Sequence, residues 1–158
     1  VMESKSAINM IRGMGGSPTP VSYGELYTAL QQGIVDAAEN NPPSFYNSRH
    51  YEVCKFYSID EHTAIPDMVL ISTKVWASLS AEEQRWIQEA ADESALYQAE
   101  LWKKSVEESL REVQKAGVQI SYPSKDLFLA QSASVYALVT QERPQLAPLI
   151  QRIQQTKP

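Results

Sequence analysis

Apolar residues along the chain recur at two different spacings, and the changes of spacing mark its elements. In SKSAINMIRGMGG, Ile8, Ile11 and Met14 fall three apart, which predicts a helix stopped by Gly15-Gly16. SPTP follows as a rigid loop, since each proline sets its own φ and restricts the residue before it. In SYGELYTALQQG, Ser22 and Glu25 have capping-box spacing, Leu26, Ala29 and Leu30 share a side, and Gly33 sits where a helix should end. IVDAA reads as a short strand. It runs into the polar knot Glu39-Asn40-Asn41 and then Pro42-Pro43, which are expected to stop regular structure. SFYNSRHYEVCKFY reads as a helix capped by Ser44. Within the extended IDEHTAIPDMVLIST, the MVLI run has no polar alternation, as expected of a strand buried on both faces. KVWASL is a short helix.

The longest element opens at Ser80, which forms a second capping box with Glu83, and closes at Gly117. The 36 residues between Ser80 and Gly117 contain no Pro or Gly. A straight helix of that size spans roughly 54 Å, more than a small lobe needs. Its apolar stripe also changes face, from Trp86, Ala90, Tyr97 and Leu101 to Trp102, Val106, Leu110 and Val113. Such a helix packs on two bodies in turn or bends between them. VQISYP then reads as a strand, DLFLAQSASVYALVTQ as a helix capped by Ser124, and PQLAPLIQRIQQ as a last short helix. No internal repeat or low-complexity segment interrupts this order, and the fold class expected is α/β.

Composition narrows the function classes. The chain is 43% hydrophobic and 21% charged, with enough length for one core or a split one. A net charge of -5 without a Lys/Arg cluster points away from nucleic acid. No apolar run approaches the ~18 residues needed to span a bilayer. Cys54 is the only cysteine, so neither an internal disulfide nor a cysteine-based zinc site is expected. The chain opens on Val1 with no signal peptide, as in a mature product or a fragment.

Little of the chain suggests catalysis. There is no G-x-S-x-G, H-E-x-x-H or phosphate-binding loop. His50 and His62 read as ordinary hydrogen-bonding residues, because Glu61, adjacent to His62, would point to the opposite face of an extended segment. Glu82-Glu83 and Glu107-Glu108 read as a solvated helix face, and Trp76, Trp86 and Trp102 as packing residues. An enzyme using Glu39 or His50 as acid or base is the alternative reading. The knot at 39–41 stands apart. It can be a turn, since Asn and Pro favour turns. Placed at the carboxyl end of a strand, it can also hold a small ligand.

The stretch from Gly15 to His62 carries a combined motif: G-x-S-P-x-P, then E-x-Y-x-A-L-Q-x-G from Glu25 to Gly33, then V-D-x-x-E-N from Val35 to Asn40, then Y-E-V at Tyr51–Val53. It resembles the periplasmic solute-binding component of TRAP transporters, the DctP-like family. Ala37 departs from the glycine usual there. The resemblance extends more weakly to the end of the chain.

That resemblance implies half of a two-lobed periplasmic-binding-protein fold with a long lobe-bridging helix. Residues 1–65 and 106–158 would form the second ligand-binding lobe. Residues 66–105 would be the returning strand and the start of the long helix, belonging to a first lobe otherwise absent. It implies a receptor for a small organic acid, with the E-N-N-P-P variant resembling the branch for sugar acids such as uronates. Asn40 would hydrogen-bond the ligand, Tyr23 would line its cavity, Glu3 would supply a polar contact, and Asp67 is a weaker candidate. The family's ligand-clamping arginine would stand immediately before Val1. The implied partners are the ligand and TRAP membrane permease subunits, in the periplasm. A sensor for a signalling partner is the alternative use of the same fold. No cofactor and no metal is implied. The exposed first stripe of the long helix would favour dimerisation of the chain.

Overall fold

The computed structural model describes residues 1–156. The chain forms two units. The first comprises Val1–Glu39, Val53–His62 and the chain from Gln119 onward; the second comprises Asn40–Glu52 and Thr63–Val118.

In the first unit, α1 (Lys5–Gly13) starts at Ser4, whose hydroxyl accepts the Ala7 amide at 3.1 Å. It ends at Gly15 with φ +86, where Gly16 N–H donates back to the Ile11 carbonyl at 2.9 Å. This glycine-terminated ending satisfies carbonyls that the helix itself leaves open. Helix α1 packs on α6 (Lys125–Glu142). The contact is close: a Cβ on Gly13 would sit 2.7 Å from Val135 Cγ2.

A single 3-10 turn, Tyr23–Glu25, leads into α2 (Leu26–Gln31), which buries Leu26 and Ala29. The expected capping box does not form here. The Ser22 hydroxyl donates to the Glu25 carboxylate at 2.6 Å instead of capping a backbone amide. Gly33 takes φ +68, and the Ile34 amide donates to the Ala29 carbonyl at 2.9 Å. The Val35 amide turns to that same carbonyl. With its first two amides drawn back to α2, IVDAA is irregular and not a strand.

The sheet is a parallel pair, β1 (Phe56–Ser58) and β2 (Gln119–Ser121), in the register Phe56↔Gln119, Tyr57↔Ile120, Ser58↔Ser121. Strand β1 lies in a stretch expected to be helical. Strand β2 falls where predicted. After α6, a 3-10 turn (Pro144–Leu146) leads into α7 (Ala147–Gln155).

In the second unit, α3 (Pro42–Asn47) begins at the two prolines expected to stop regular structure. Proline suits the first helical turn, whose N–H groups have no partner inside the helix. The N-cap is Asn41, not Ser44: the Asn41 side chain accepts the Ser44 amide at 2.9 Å. The helix stops at Arg49, a non-glycine residue at φ 59, well short of the predicted length.

Helix α4 (Thr73–Ser78) precedes α5 (Ala81–Lys115), whose predicted capping box is complete. Ser80 Oγ accepts the Glu83 amide at 3.2 Å, and Glu83 accepts the Ser80 amide at 2.7 Å. At the far end, Gly117 takes φ +86 and the Val118 amide reaches the Val113 carbonyl at 3.0 Å. Helix α5 packs on α3 near this end, where Ser109, Val113 and Val118 are buried with Pro43 and Phe45 of α3. Burial of Val113 alone is worth about 1.5–3 kcal/mol. The earlier stripe, including Trp86, Tyr97 and Leu101, is exposed. MVLI is neither a strand nor buried: Met68, Val69 and Leu70 are 72–81% exposed. Among the described residues no strand lies beside it to pair with its backbone, and a strand exists only through such pairing.

Gly13 provides a test of the α1–α6 contact. Alanine there improves helix propensity by about 1 kcal/mol, but overpacking against the stiff Val135 costs about 1–3 kcal/mol. Urea denaturation of Gly13→Ala should show a net loss of stability. Adding Val135→Ala should recover part of it, since the methyl then has room.

Candidate functional site

The three polar residues at 39–41 have three different sets of partners. Asn41 caps α3. Asn40 accepts the Asn41 amide through Oδ1 at 3.0 Å, which orients its amide with Nδ2 as the donor end. Glu39 belongs to the first unit, where its Oε2 lies 3.8 Å from His62 Nε2.

His62 is held by the turn that follows β1. The Ile59 amide donates to the Ser121 carbonyl at 2.8 Å, extending the β1–β2 ladder by one residue. Glu61 then adopts φ 51, in the left-handed region uncommon for a non-glycine residue. This bend sets His62 against Asp60, with Nδ1 2.7 Å from Asp60 Oδ1. A carboxylate only accepts, so Nδ1 carries the proton. Glu61 itself pairs with Lys125 at the start of α6. The other ring nitrogen, Nε2, is buried and has no hydrogen-bond partner. Tyr57 completes the cluster. Its phenol is pushed up to about 12, first by burial and then by the Asp60 and Glu39 carboxylates.

This cluster was not predicted. The contact between Asp60 and His62 depends on the left-handed bend at Glu61 between them, which strand alternation does not anticipate.

The sequence-predicted residues are placed as follows. Glu3 and Tyr23, in the first unit, are both exposed. The segments carrying them run side by side: the Val1 amino group donates to Thr19 O at 3.0 Å, and the Val21 amide donates to Val1 O at 3.1 Å. Asn40 and Asp67 belong to the second unit. Asp67 is exposed and lies on the irregular segment, not on the strand expected there. His50 is 3% exposed, and burial lowers its pKa, which disfavours the charged form an acid catalyst would use. Arg49 directs two guanidinium nitrogens at Glu52 Oε1, with Nε at 2.7 Å. Among the described residues, no three His, Cys, Asp or Glu are grouped to hold a metal ion. No described helix is long and apolar enough to cross a membrane.

Comparison with known proteins yields consistent matches. The family model for bacterial extracellular solute-binding protein, family 7 (DctP) matches residues 1–142. A solute-binding protein of Chromohalobacter salexigens is 39% identical over 98% of this chain and 46% of its own length. A TRAP periplasmic solute-binding protein from Roseobacter denitrificans, solved with bound beta-D-glucuronate, is 40% identical with TM-score 0.93, over 99% of this chain and 52% of that one. A counterpart from Bradyrhizobium sp. BTAi1, in complex with alpha/beta-D-galacturonate, is 41% identical with TM-score 0.87, over 99% and 52%. The chain thus spans about half the length of the relatives it matches.

Tyr57 gives the cluster a measurable pH signature. Its folded pKa of about 12 lies above the ordinary phenol value of 10.0, so the folded state holds the proton more tightly than the unfolded chain. The resulting stabilisation is complete below pH 10 and is lost as pH rises toward 12. Between those limits the urea midpoint of the wild type should fall more steeply than that of Tyr57→Phe. Equal slopes would show that Tyr57 ionises as freely as in the unfolded chain.

Proposed function

Because this chain belongs to the bacterial extracellular solute-binding protein family 7, the DctP family, we propose that it forms part of a periplasmic receptor that captures a uronate and delivers it to a TRAP-type membrane permease. The family is one of solute receptors, and no bond is made or broken in the proposed role. The observation that carries the ligand assignment is the set of bound sugars. Structures 33–41% identical over 95% or more of this chain hold glucuronate or galacturonate.

Asn40 is proposed as a ligand donor. Its Oδ1 accepts a backbone amide, and its Nδ2–H is the end whose chemistry suits an anionic or hydroxyl oxygen. Glu3 is proposed to accept from sugar hydroxyls and Tyr23 to lie against the sugar face. Asp67 is a further candidate acceptor. Residues 1–65 and 106–158 are assigned to one lobe of the receptor and 66–105 to the other. The exposed first stripe of α5 suits that division. Dimerisation is not part of this proposal, because no observation names a second copy as the cover for that stripe.

Titration calorimetry of the intact protein against D-glucuronate, D-galacturonate, sialic acid, a C4-dicarboxylate and a 2-oxoacid tests the assignment. A uronate should bind most tightly, and silence across all five would overturn the reading. Asn40→Ala should weaken uronate binding by about 1.5–3 kcal/mol, the worth of a hydrogen bond to a charged group. Unchanged affinity would remove Asn40 from the site.

A further inference from the structure

The chain leaves the first unit at Glu39 and again at His62. These two exits face each other through His62 Nε2 and Glu39 Oε2 at 3.8 Å, with the carboxylate 27% and the imidazole 14% exposed. We propose that His62 is a proton-operated clip between the two exits, so that binding of the anionic sugar is linked to uptake of a proton; this rests on the uronate reading above.

The geometry sets two states. Asp60 fixes the ring by accepting from Nδ1 at 2.7 Å. With the ring neutral, Nε2 is a lone pair, buried and without a partner, aimed at a carboxylate that also only accepts. Two acceptors facing each other gain nothing, and the buried Nε2 lacks a donor. With the ring protonated, Nε2–H points at Glu39, and an approach of about 1 Å makes a charge-assisted hydrogen bond. The imidazolium then joins Asp60 to Glu39 and ties one exit to the other. Asn40 follows Glu39 directly in the chain, so the clip fixes the backbone from which the proposed ligand donor departs.

The surrounding charges favour this use of a proton. Asp60 faces the ring from the turn after β1 and Glu39 from the connection between α2 and α3, and Tyr57 of β1 feels the charge of both carboxylates. The Tyr57 phenol is held neutral by burial and by those same two carboxylates. Glu61, between Asp60 and His62, is engaged by Lys125 of α6. Two carboxylates therefore converge with one group able to become a cation.

Calorimetry of D-glucuronate binding to the intact protein tests the proposal across pH 5 to 8, the range in which histidine changes charge, in two buffers of different ionisation heat. The wild type should lose about fivefold in affinity toward the alkaline end, a modest coupling between sites, and should take up protons on binding. His62→Gln should bind with neither effect. A pH-independent affinity without proton uptake, or an unchanged pH dependence in His62→Gln, would overturn the clip.

The ligand-free protein supplies a separate readout that keeps the two proposals distinguishable. In the wild type the 15N backbone amide resonances of Glu39 and Asn40 should shift between pH 5 and 8, and in His62→Gln they should not. Equal behaviour of the two proteins sinks the clip whether or not a uronate binds. Failure of every sugar acid to bind, alongside a His62-dependent shift, sinks the ligand assignment alone.

Discussion

The parallel pairing of β1 with β2 is the constraint on which the first unit depends. It joins backbone separated by 63 residues, with Ser58 and Ser121 hydroxyls 2.9 Å apart at its end. Parallel neighbours need a long connection, here the stretch carrying α4 and α5. Closing so long a loop costs entropy that grows only slowly with length. Once closed, it determines where the next residues go. Ile59 continues the ladder onto Ser121, Glu61 bends the chain, and β2 delivers Lys125 to pair with Glu61. The Asp60–His62 contact is downstream of each of these. Loss of the strand pairing would dissolve the cluster without altering any of its side chains.

An acidic chain, if it holds the proposed acidic sugar, would do so with local donors. At a net charge of -5, the long-range field of this chain opposes a carboxylate and gives it no steering. The pull would come from hydrogen-bond donors close to the ligand, where geometry outweighs net charge. Many of the chain's own carboxylates are engaged and so add less repulsion than a count suggests. Glu61 pairs with Lys125, Glu52 with Arg49, Glu112 with Lys115 and Glu142 with Lys5. Exposed pairs of this kind contribute little stability. Their consequence here is electrostatic neutrality over short distances.

The parts of the fold legible in the sequence were those governed by local chemistry. The Ser80–Glu83 capping box and the glycine endings at Gly15, Gly33 and Gly117 involve groups within five residues of each other, and each formed. The motif resemblance, which integrates many local signals, led to the family. Some local readings failed too: Ser22 and Glu25 form no capping box, and Asn41 in place of Ser44 caps α3, with both prolines in its first turn. The strand readings failed on partners far along the chain. MVLI has strand composition but no neighbour, whereas KFYS has an ordinary composition and gains a neighbour in QIS. Composition reports suitability for a strand; pairing decides it. At the candidate site, the motif singled out Asn40, whose ligand role is a proposal. The Asp60–His62–Glu39 cluster was not legible, because it needs the left-handed bend at Glu61, and no propensity favours glutamate there.

The run Glu39-Asn40-Asn41 can be assigned by accounting for the backbone donors at the start of α3. A helix opens with amides that have no partner within it. Here Pro42 and Pro43 occupy the first two positions and have no N–H. The third amide, Ser44, is taken by Asn41 Oδ1, and the fourth, Phe45, donates to the Asn41 carbonyl at 2.9 Å. The Asn41 amide itself is taken by Asn40 Oδ1. The backbone amides from Asn41 to Phe45 are therefore satisfied by Asn40 and Asn41. This occupies the acceptor of both side chains, but with different results. Asn41 is bound into the helix start, and its replacement would unseat α3. Asn40 stands outside the helix, with its Oδ1 on the Asn41 amide. The role proposed for it toward a carboxylate or hydroxyl oxygen falls to Nδ2–H, the donor end of the amide. The prolines simplify the turn by removing two amides that would otherwise compete for the same acceptors.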